Sequence, residues 1–172
     1  MDDIYGRIVV IVFGVILLLY VPIALLSLKL DSLSQSYVDN AVEQFVDDAR
    51  ASARITEASY RRLVDQIGIV QGNCELEINH GATYSIPSED SHGDLVVLDT
   101  RREYGIESIL DSMYPNDTDF NDYIMKEGDY LQVIVEAREP SLGAKMTGFF
   151  LPSYRNQRLY CVYGGYVGNE AE

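Results

Sequence analysis

The chain has 172 residues, enough for one domain with an anchor but too few for two full domains. Its 27 acidic and 13 basic residues give a formal net charge of −14. This charge argues against nucleic-acid binding, because an acidic domain repels phosphate, and against docking of the acidic part on anionic lipid.

An uncharged apolar run occupies Ile8–Leu28, between Arg7 and Lys29. As a helix, its 21 residues would extend about 31 Å, close to the roughly 30 Å of a bilayer's hydrocarbon core. A cleaved signal peptide usually has a shorter apolar core and a small-residue cleavage site soon after it. The run therefore predicts a retained transmembrane helix that contacts the lipid bilayer through residues 8–28.

The orientation of this anchor follows from the short N-terminus, since one basic residue on each side leaves the positive-inside rule undecided. Residues 1–7 are expected to lie in the cytoplasm. The rest of the chain is then expected outside a plasma membrane that the protein crosses once.

The helical pattern continues beyond the apolar run. Apolar residues recur every three or four positions, and neither Gly nor Pro occurs between Leu25 and Ala53. We predict one helix from about residue 8 to about residue 53, with an amphipathic stalk at 29–55. The predicted packing or assembly face of this stalk consists of Leu33, Tyr37, Ala41, Phe45 and Ala49.

Residues 56–172 are predicted to form a small head. Thr56 is a predicted N-cap for a short helix that Gly68 can end. Residues 81–93 have the composition of a loop, and Pro140 is predicted to begin a helix ending at Phe150. Alternating or short apolar segments predict the strands, at 74–80, 95–98, 130–137 and 158–167, with a helical turn or two at 105–113.

These elements predict an α+β fold, in which a long N-terminal transmembrane and stalk helix packs on a small, mainly antiparallel sheet. A sheet needs one face covered by another layer, and the stalk helix is the natural cover.

No catalytic motif occurs in the sequence: there is no Gly-x-Ser-x-Gly, phosphate-binding loop, HExxH or dinucleotide fingerprint. We therefore predict that the chain is not an enzyme and has no cofactor. His80 and His92 are interpreted as structural residues, and with two distant cysteines they make no convincing zinc site.

An acidic segment near residue 120 resembles the start of a calcium-binding loop. Asp117, Asp119 and Asn121 supply oxygens at the right spacing, but Asp122 and Gly128 stand where such loops need Gly and Glu. A solvated acidic loop is the preferred interpretation, and no metal site is predicted.

Cys74 and Cys161 both lie on predicted strands. If the two strands are neighbours and both sulfurs face inward, the cysteines can form a disulfide, which an exported location permits. The alternative is two free thiols in the core.

Thirteen tyrosines occur without any tryptophan. Tyrosine suits wet, amphipathic contact surfaces, although the rim of a small sheet would also accommodate these residues.

The order of these parts resembles a type IV pilin, with its lollipop arrangement of helix and head. Residues 37–68, 128–137 and 163–170 resemble TadE/TadF-like minor pilins (pseudopilins) of tight-adherence pilus systems, or uncharacterised relatives encoded in such loci. Type IV pilins usually carry a Glu early in the mature helix, whereas Gly6 is followed here by an apolar run without an acid. An unprocessed, membrane-resident accessory subunit therefore fits better than a major filament subunit.

The resemblance implies a structural subunit of a tight-adherence pilus or related secretion apparatus. Its partners would be other pilin-like subunits or pilus-assembly membrane proteins, and it would act by packing of its helix and head. The alternative is a single-pass sensor or ligand-binding ectodomain that works with a separate membrane partner.

Overall fold

A computed structural model describes residues 2–70, 73–89, 95–115, 120–150 and 152–168. The helices are α1 (Asp2–Ser52), α2 (Glu57–Val70), α3 (Ile106–Met113) and α4 (Leu142–Phe150), with a 3₁₀ turn at Pro152–Tyr154. The strands are β1 (Arg54–Ile55), β2 (Cys74–Glu89), β3 (Leu95–Tyr104), β4 (Tyr123–Ile124), β5 (Tyr130–Ala137) and β6 (Tyr160–Tyr166).

The chain divides into two compact units. The first unit contains Met1–Ser36 and Arg138–Leu159, and the second contains Tyr37–Ala137 and Tyr160–Glu172. Helix α1 belongs to both, since it crosses the boundary at residue 36 without interruption.

The prediction of one long helix is confirmed, because α1 is continuous from Asp2 to Ser52. The helix ends where Ala53 adopts a left-handed conformation with φ of 50°, as C-terminal capping residues commonly do. The Ala53 carbonyl then accepts a hydrogen bond from the Met125 N–H at 2.8 Å. This contact fixes the point at which the chain turns into β1.

In the second unit, α1 and the sheet share an apolar core. Four antiparallel strands lie in the order β3–β2–β5–β6, while β1 and β4 form a separate two-stranded ladder. Alternate residues of β5 are buried, as the predicted strand at 130–137 required. From α1 the core receives Val38, Ala41, Val42, Phe45, Val46 and Ala49.

Of the predicted packing or assembly face, Ala41, Phe45 and Ala49 are buried in the core, while the two residues before them are exposed and remain candidates for an assembly contact. Leu33 and Tyr37 are 66% and 42% exposed. A strict four-residue spacing drifts by about 40° per step, because an α-helix turns about 100° per residue. From Leu33 to Ala49 this drift adds up to about 160°, which turns the first two side chains away from the core that the last three enter.

Two predicted helix boundaries are also corrected. Helix α2 continues past Gly68 to Val70. Helix α4 begins at Leu142 rather than Pro140, because the Ser141 hydroxyl accepts a hydrogen bond from the Ala144 N–H and caps the helix. The Thr56 cap is confirmed, since its hydroxyl accepts the Ser59 N–H at 3.2 Å.

The loop predicted at 81–93 is wrong for residues 81–89, which continue β2. Strand β2 pairs with β3 from His80↔Tyr104 to Glu89↔Leu95. Composition alone indicated a loop, whereas Thr83, Tyr84 and Ile86 are residues that strands favour.

The disulfide prediction is contradicted, because Cys74 and Cys161 are free. Both lie on the face of the sheet that carries the buried β5 residues, but Cys74 pairs with Ala137 and Cys161 with Val135, so β5 separates them. Two strand spacings amount to about 10 Å, beyond the roughly 7 Å between Cα atoms that a disulfide allows. The alternative of two free thiols is the correct one.

We expect two alkylated cysteines when the protein is unfolded without reductant, and much slower labelling of the folded protein. Burial, followed by the nearby Asp39 carboxylate, raises the pKa of the Cys161 thiol to about 12, and burial also raises the pKa of Cys74. Thiolates are the reactive form, so both thiols react poorly in the fold. Mass spectrometry after iodoacetamide treatment checks this, with Cys161→Ala as the one-label control. If the unfolded protein carried no label, the two cysteines would be joined in a disulfide, and the assignment of free thiols would be wrong.

Candidate functional site

The first half of α1 presents a largely exposed apolar surface in the described part of the chain. Every Ile, Val, Leu and Phe side chain between residues 8 and 26 is exposed, Val10 at 70% and Leu18 at 72%. By length and composition, this helix is apolar enough to cross a membrane, with a mean hydropathy of 3.1 in its most apolar window. An exposed apolar surface of this kind is unfavourable in water and requires an apolar environment.

A second feature is a buried polar cluster formed by His80, Asp129 and Tyr123. His80 lies on β2, Tyr123 on β4, and Asp129 in the turn before β5. The His80 Nε2 is 3.0 Å from Asp129 Oδ2, and its Nδ1 is 2.7 Å from the Tyr123 hydroxyl. His80 and Asp129 are both almost completely buried.

The Asp129 carboxylate accepts hydrogen bonds from three donors. Besides His80, the backbone N–H groups of Thr83 and Lys126 donate to its two carboxylate oxygens, at 3.1 and 2.8 Å. Gly128 adopts a φ of 84° in this turn, a conformation that glycine tolerates best. The cluster therefore ties the turn before β5 to the middle of β2.

One neutral tautomer of His80 accounts for both of its hydrogen bonds. With Nε2 donating to Asp129, Nδ1 of a neutral His80 accepts the Tyr123 hydroxyl proton. A carboxylate–imidazole pair can activate a nucleophile, but here its partner is a phenol, and burial raises the pKa of Tyr123 to about 12. The three side chains link β2, β4 and the turn before β5 through hydrogen bonds.

The raised pKa of Tyr123 makes part of the stability pH-dependent. A phenol titrates near pH 10 in the unfolded chain, so the stabilisation by neutral Tyr123 is complete below that pH. It is lost as the pH rises towards about 12. We expect the denaturation midpoint to fall more steeply in this interval for the wild type than for Tyr123→Phe. Tyr160→Phe, at an exposed position, serves as the control and should keep the wild-type slope. Identical slopes for all three proteins would contradict the assignment.

A third feature is the tyrosine face, defined by Arg101, Tyr130, Tyr160, Val162 and Tyr166 on the side of the sheet opposite the core. The Tyr130 and Tyr166 rings pack edge to face at 5.1 Å, and the Arg101 guanidinium lies 5.1 Å from the centre of the Tyr130 ring. Gly81 makes room for Arg101, because a Cβ there would collide with the guanidinium. Tyr160 and Tyr166 are exposed, and this amphipathic composition suits a protein contact.

Only some of the other residues considered as metal ligands or structural histidines lie in the part of the chain that the structure describes. Asp117, Asp119 and His92 lie outside the described residues, so their predictions stay untested. Asn121 is exposed, and its N–H donates to the Met113 carbonyl at 2.9 Å. Among the residues that the structure describes, no group of three or more His, Cys, Asp and Glu side chains is placed to hold a metal ion.

Sequence reasoning missed Asp129 and Tyr123. They stand 49 and 43 positions from His80, and only the pairing of β2 with β5 brings Asp129 to the histidine. The one local signal was the pair Gly128-Asp129, which is typical of a turn and directly precedes an alternating strand.

A scan against protein-family models, curated proteins and solved structures found no match to this chain.

Proposed function

We propose that the chain is a membrane-anchored, non-catalytic accessory subunit of a tight-adherence pilus or related secretion apparatus. In this role it resembles a pseudopilin. The apolar half of α1 holds it in the bilayer, and its exposed surfaces contact other pilin-like subunits or pilus-assembly membrane proteins.

The observation that carries the proposal is the unbroken course of α1. One helix supplies an exposed apolar surface in its first half and a buried stripe from Val38 to Ala49 in its second half. An anchor that continues directly into a domain core can transmit position and force between the membrane and that domain. A continuous helix between anchor and domain core suits a subunit of an assembled apparatus.

The tyrosine face supplies a surface for partners. It is amphipathic, and β6 is an edge strand of the sheet as far as the structure describes it, with the Tyr166 carbonyl accepting a hydrogen bond from Arg50 Nε at 2.7 Å. A partner can therefore contact the tyrosine rings and the strand edge together.

The cleft between α1 and α2 is too small to hold a small-molecule ligand. It is lined by residues including Ala41, Phe45 and Leu63, and its volume of about 10 Å³ corresponds to roughly one water molecule. A small-molecule site usually occupies at least about 300 Å³.

The proposal is tested in the organism that encodes the chain. Deleting the gene should reduce surface filaments or secretion, and the full chain should restore them. A form with residues 30–172 behind a cleavable signal peptide should not restore them, because it lacks the anchor. Unchanged filaments and secretion in the deletion strain would contradict the proposal.

The partner surface is tested by photo-crosslinking in the same cells. A benzophenone amino acid at Tyr166 should capture a second pilin-like or pilus-assembly protein, identified by mass spectrometry. The matched control is Ala58, an exposed residue of α2. Equal capture at both positions would show that the tyrosine face is not the contact surface.

A further inference from the structure

The first unit contains a short helix that lies against the apolar half of α1. This α4 segment, Arg138–Leu159, leaves the sheet after β5 and returns to it at β6, the neighbouring strand. The Ser141 hydroxyl donates a hydrogen bond to the Asp31 carboxylate, and the Tyr20 hydroxyl donates to the Met146 carbonyl. Helix α4 is therefore antiparallel to α1 and extends from Asp31 towards Tyr20.

The two helices pack closely along one side of α1. Ser27 Oγ is 3.7 Å from Met146 Sδ, and a Cβ on Gly143 would collide with the Asp31 carboxylate and crowd the Ser27 backbone. The α1 residues on this side are half-buried, whereas the apolar residues between them are exposed. The half-buried residues are Tyr20, Ala24, Ser27, Leu28 and Asp31.

This covered stripe lies inside the predicted membrane span. Tyr20 precedes the end of the apolar run at Leu28 by eight residues, a rise of about 12 Å along α1. Met146 and the residues that follow it on α4 therefore lie beside the interior of the run. The chain returns at the same level, because a Cβ on Gly148 would collide with the backbone of Arg155.

This docked arrangement is unfavourable in hydrocarbon. Residues 155–159 lie between the 3₁₀ turn and β6, outside any helix or strand, and Arg155, Asn156 and Gln157 are exposed. Irregular backbone is tolerated at membrane depth only where protein or water surrounds it. The long Arg155 side chain can reach towards the headgroups, but the exposed backbone and the Asn156 amide beside it cannot. A bilayer that surrounds α1 as far as Leu28 must therefore displace the α4 segment.

We infer that the α4 segment is a movable strap, which covers residues 20–28 of α1 only while that part of the helix lies outside the lipid. The strap separates from α1 when the bilayer takes up the apolar run as far as Leu28. Its two ends join strands that stay paired from Tyr130↔Tyr166 to Glu136↔Tyr160, so the strap can move without breaking the sheet. This inference rests on the proposed membrane anchor.

The thickness of the bilayer decides which of the two states is favoured. The whole run matches about 31 Å of hydrocarbon, whereas residues 8–19 alone match about 18 Å. A mismatch between helix and bilayer has a cost for each ångström of difference. A thin bilayer therefore leaves residues 20–28 outside the lipid and favours the docked strap, and a thick bilayer favours insertion.

The test measures the distance between nitroxide labels at Val21 and Phe149, two exposed positions on α1 and α4. Val21→Cys and Phe149→Cys are introduced into the full chain with the free cysteines replaced, as Cys74→Ala and Cys161→Ala. The protein is labelled and then reconstituted in phosphatidylcholine vesicles whose hydrocarbon core is either thinner or thicker than the run. Pulsed electron paramagnetic resonance should give one short distance in the thin vesicles. In the thick vesicles the population at this distance should fall about tenfold, replaced by longer and broader distances.

Two controls isolate the movement of the strap. Labels at Tyr37→Cys and Ile69→Cys, both within the second unit, should give the same distance in both kinds of vesicle. Gly143→Leu fills the close contact with α1 and should remove the short distance even in the thin vesicles. Gly68→Leu, at a position with open space around it, should leave the short distance unchanged.

The same vesicles separate failure of the inference from failure of the anchor. A short distance that persists in the thick vesicles, or is missing from the thin ones, would overturn the inference while the protein still floats with the lipid. A labelled protein that does not float with either kind of vesicle would overturn the anchor, and the inference with it.

Discussion

Asp129→Ala should lower the free energy of unfolding by about 3–5 kcal/mol, because it leaves buried donors without an acceptor. The carboxylate accepts hydrogen bonds from His80 and from the backbone N–H groups of Thr83 and Lys126, and it is buried. None of these donors can turn towards water without opening the turn before β5. Denaturant unfolding of the full chain in detergent micelles, followed by near-ultraviolet circular dichroism of the tyrosines, measures the loss.

Two further variants show whether this loss comes from the cluster. Asp65→Ala, at an exposed position of α2, should change stability by less than about 0.5 kcal/mol. His80→Ala combined with Asp129→Ala should lose less than the sum of the single variants, since both remove the same hydrogen bond. A loss below about 1 kcal/mol for Asp129→Ala would show that water replaces the carboxylate in the cluster.

Phe45→Ala should destabilise the second unit by about 3–5 kcal/mol, the usual cost of removing a buried aromatic ring. Phe45 is buried within the stripe that α1 contributes to the core. A loss of this size is a large part of the roughly 5–15 kcal/mol that typically stabilise a domain. The same denaturant titration measures it.

Tyr37→Ala is the matched control, because Tyr37 lies on the same helix but is largely exposed. Its replacement should cost less than about 1 kcal/mol. Similar losses for both variants would mean that Tyr37 is also buried, and that the originally predicted packing face is the real one.

Long periodic segments were the most predictable part of the fold. The stretch from Leu25 to Ala53 keeps one helical pattern without Gly or Pro, and β5 has strict alternation, so local sequence determines both. The second half of β2 was missed because its pairing with β3 stabilises a segment whose composition resembles a loop.

The features that depend on strand order could not be predicted. The two cysteines face the same side of the sheet, as their alternation indicated, but β5 separates their strands. In the same way, nothing local to His80 indicates that the turn containing Asp129 lies beside it.

The central claim is that Ile8–Leu28 remains in the mature protein as its membrane anchor. The most direct test is the intact mass of the native protein, recovered both from alkali-washed membranes and from the soluble exported fraction. We expect the full mass of 19.3 kDa in the washed membranes, without removal of the residues up to Gly6. A soluble form shorter by about 25 residues would contradict it, because the apolar run would then be a cleaved signal sequence.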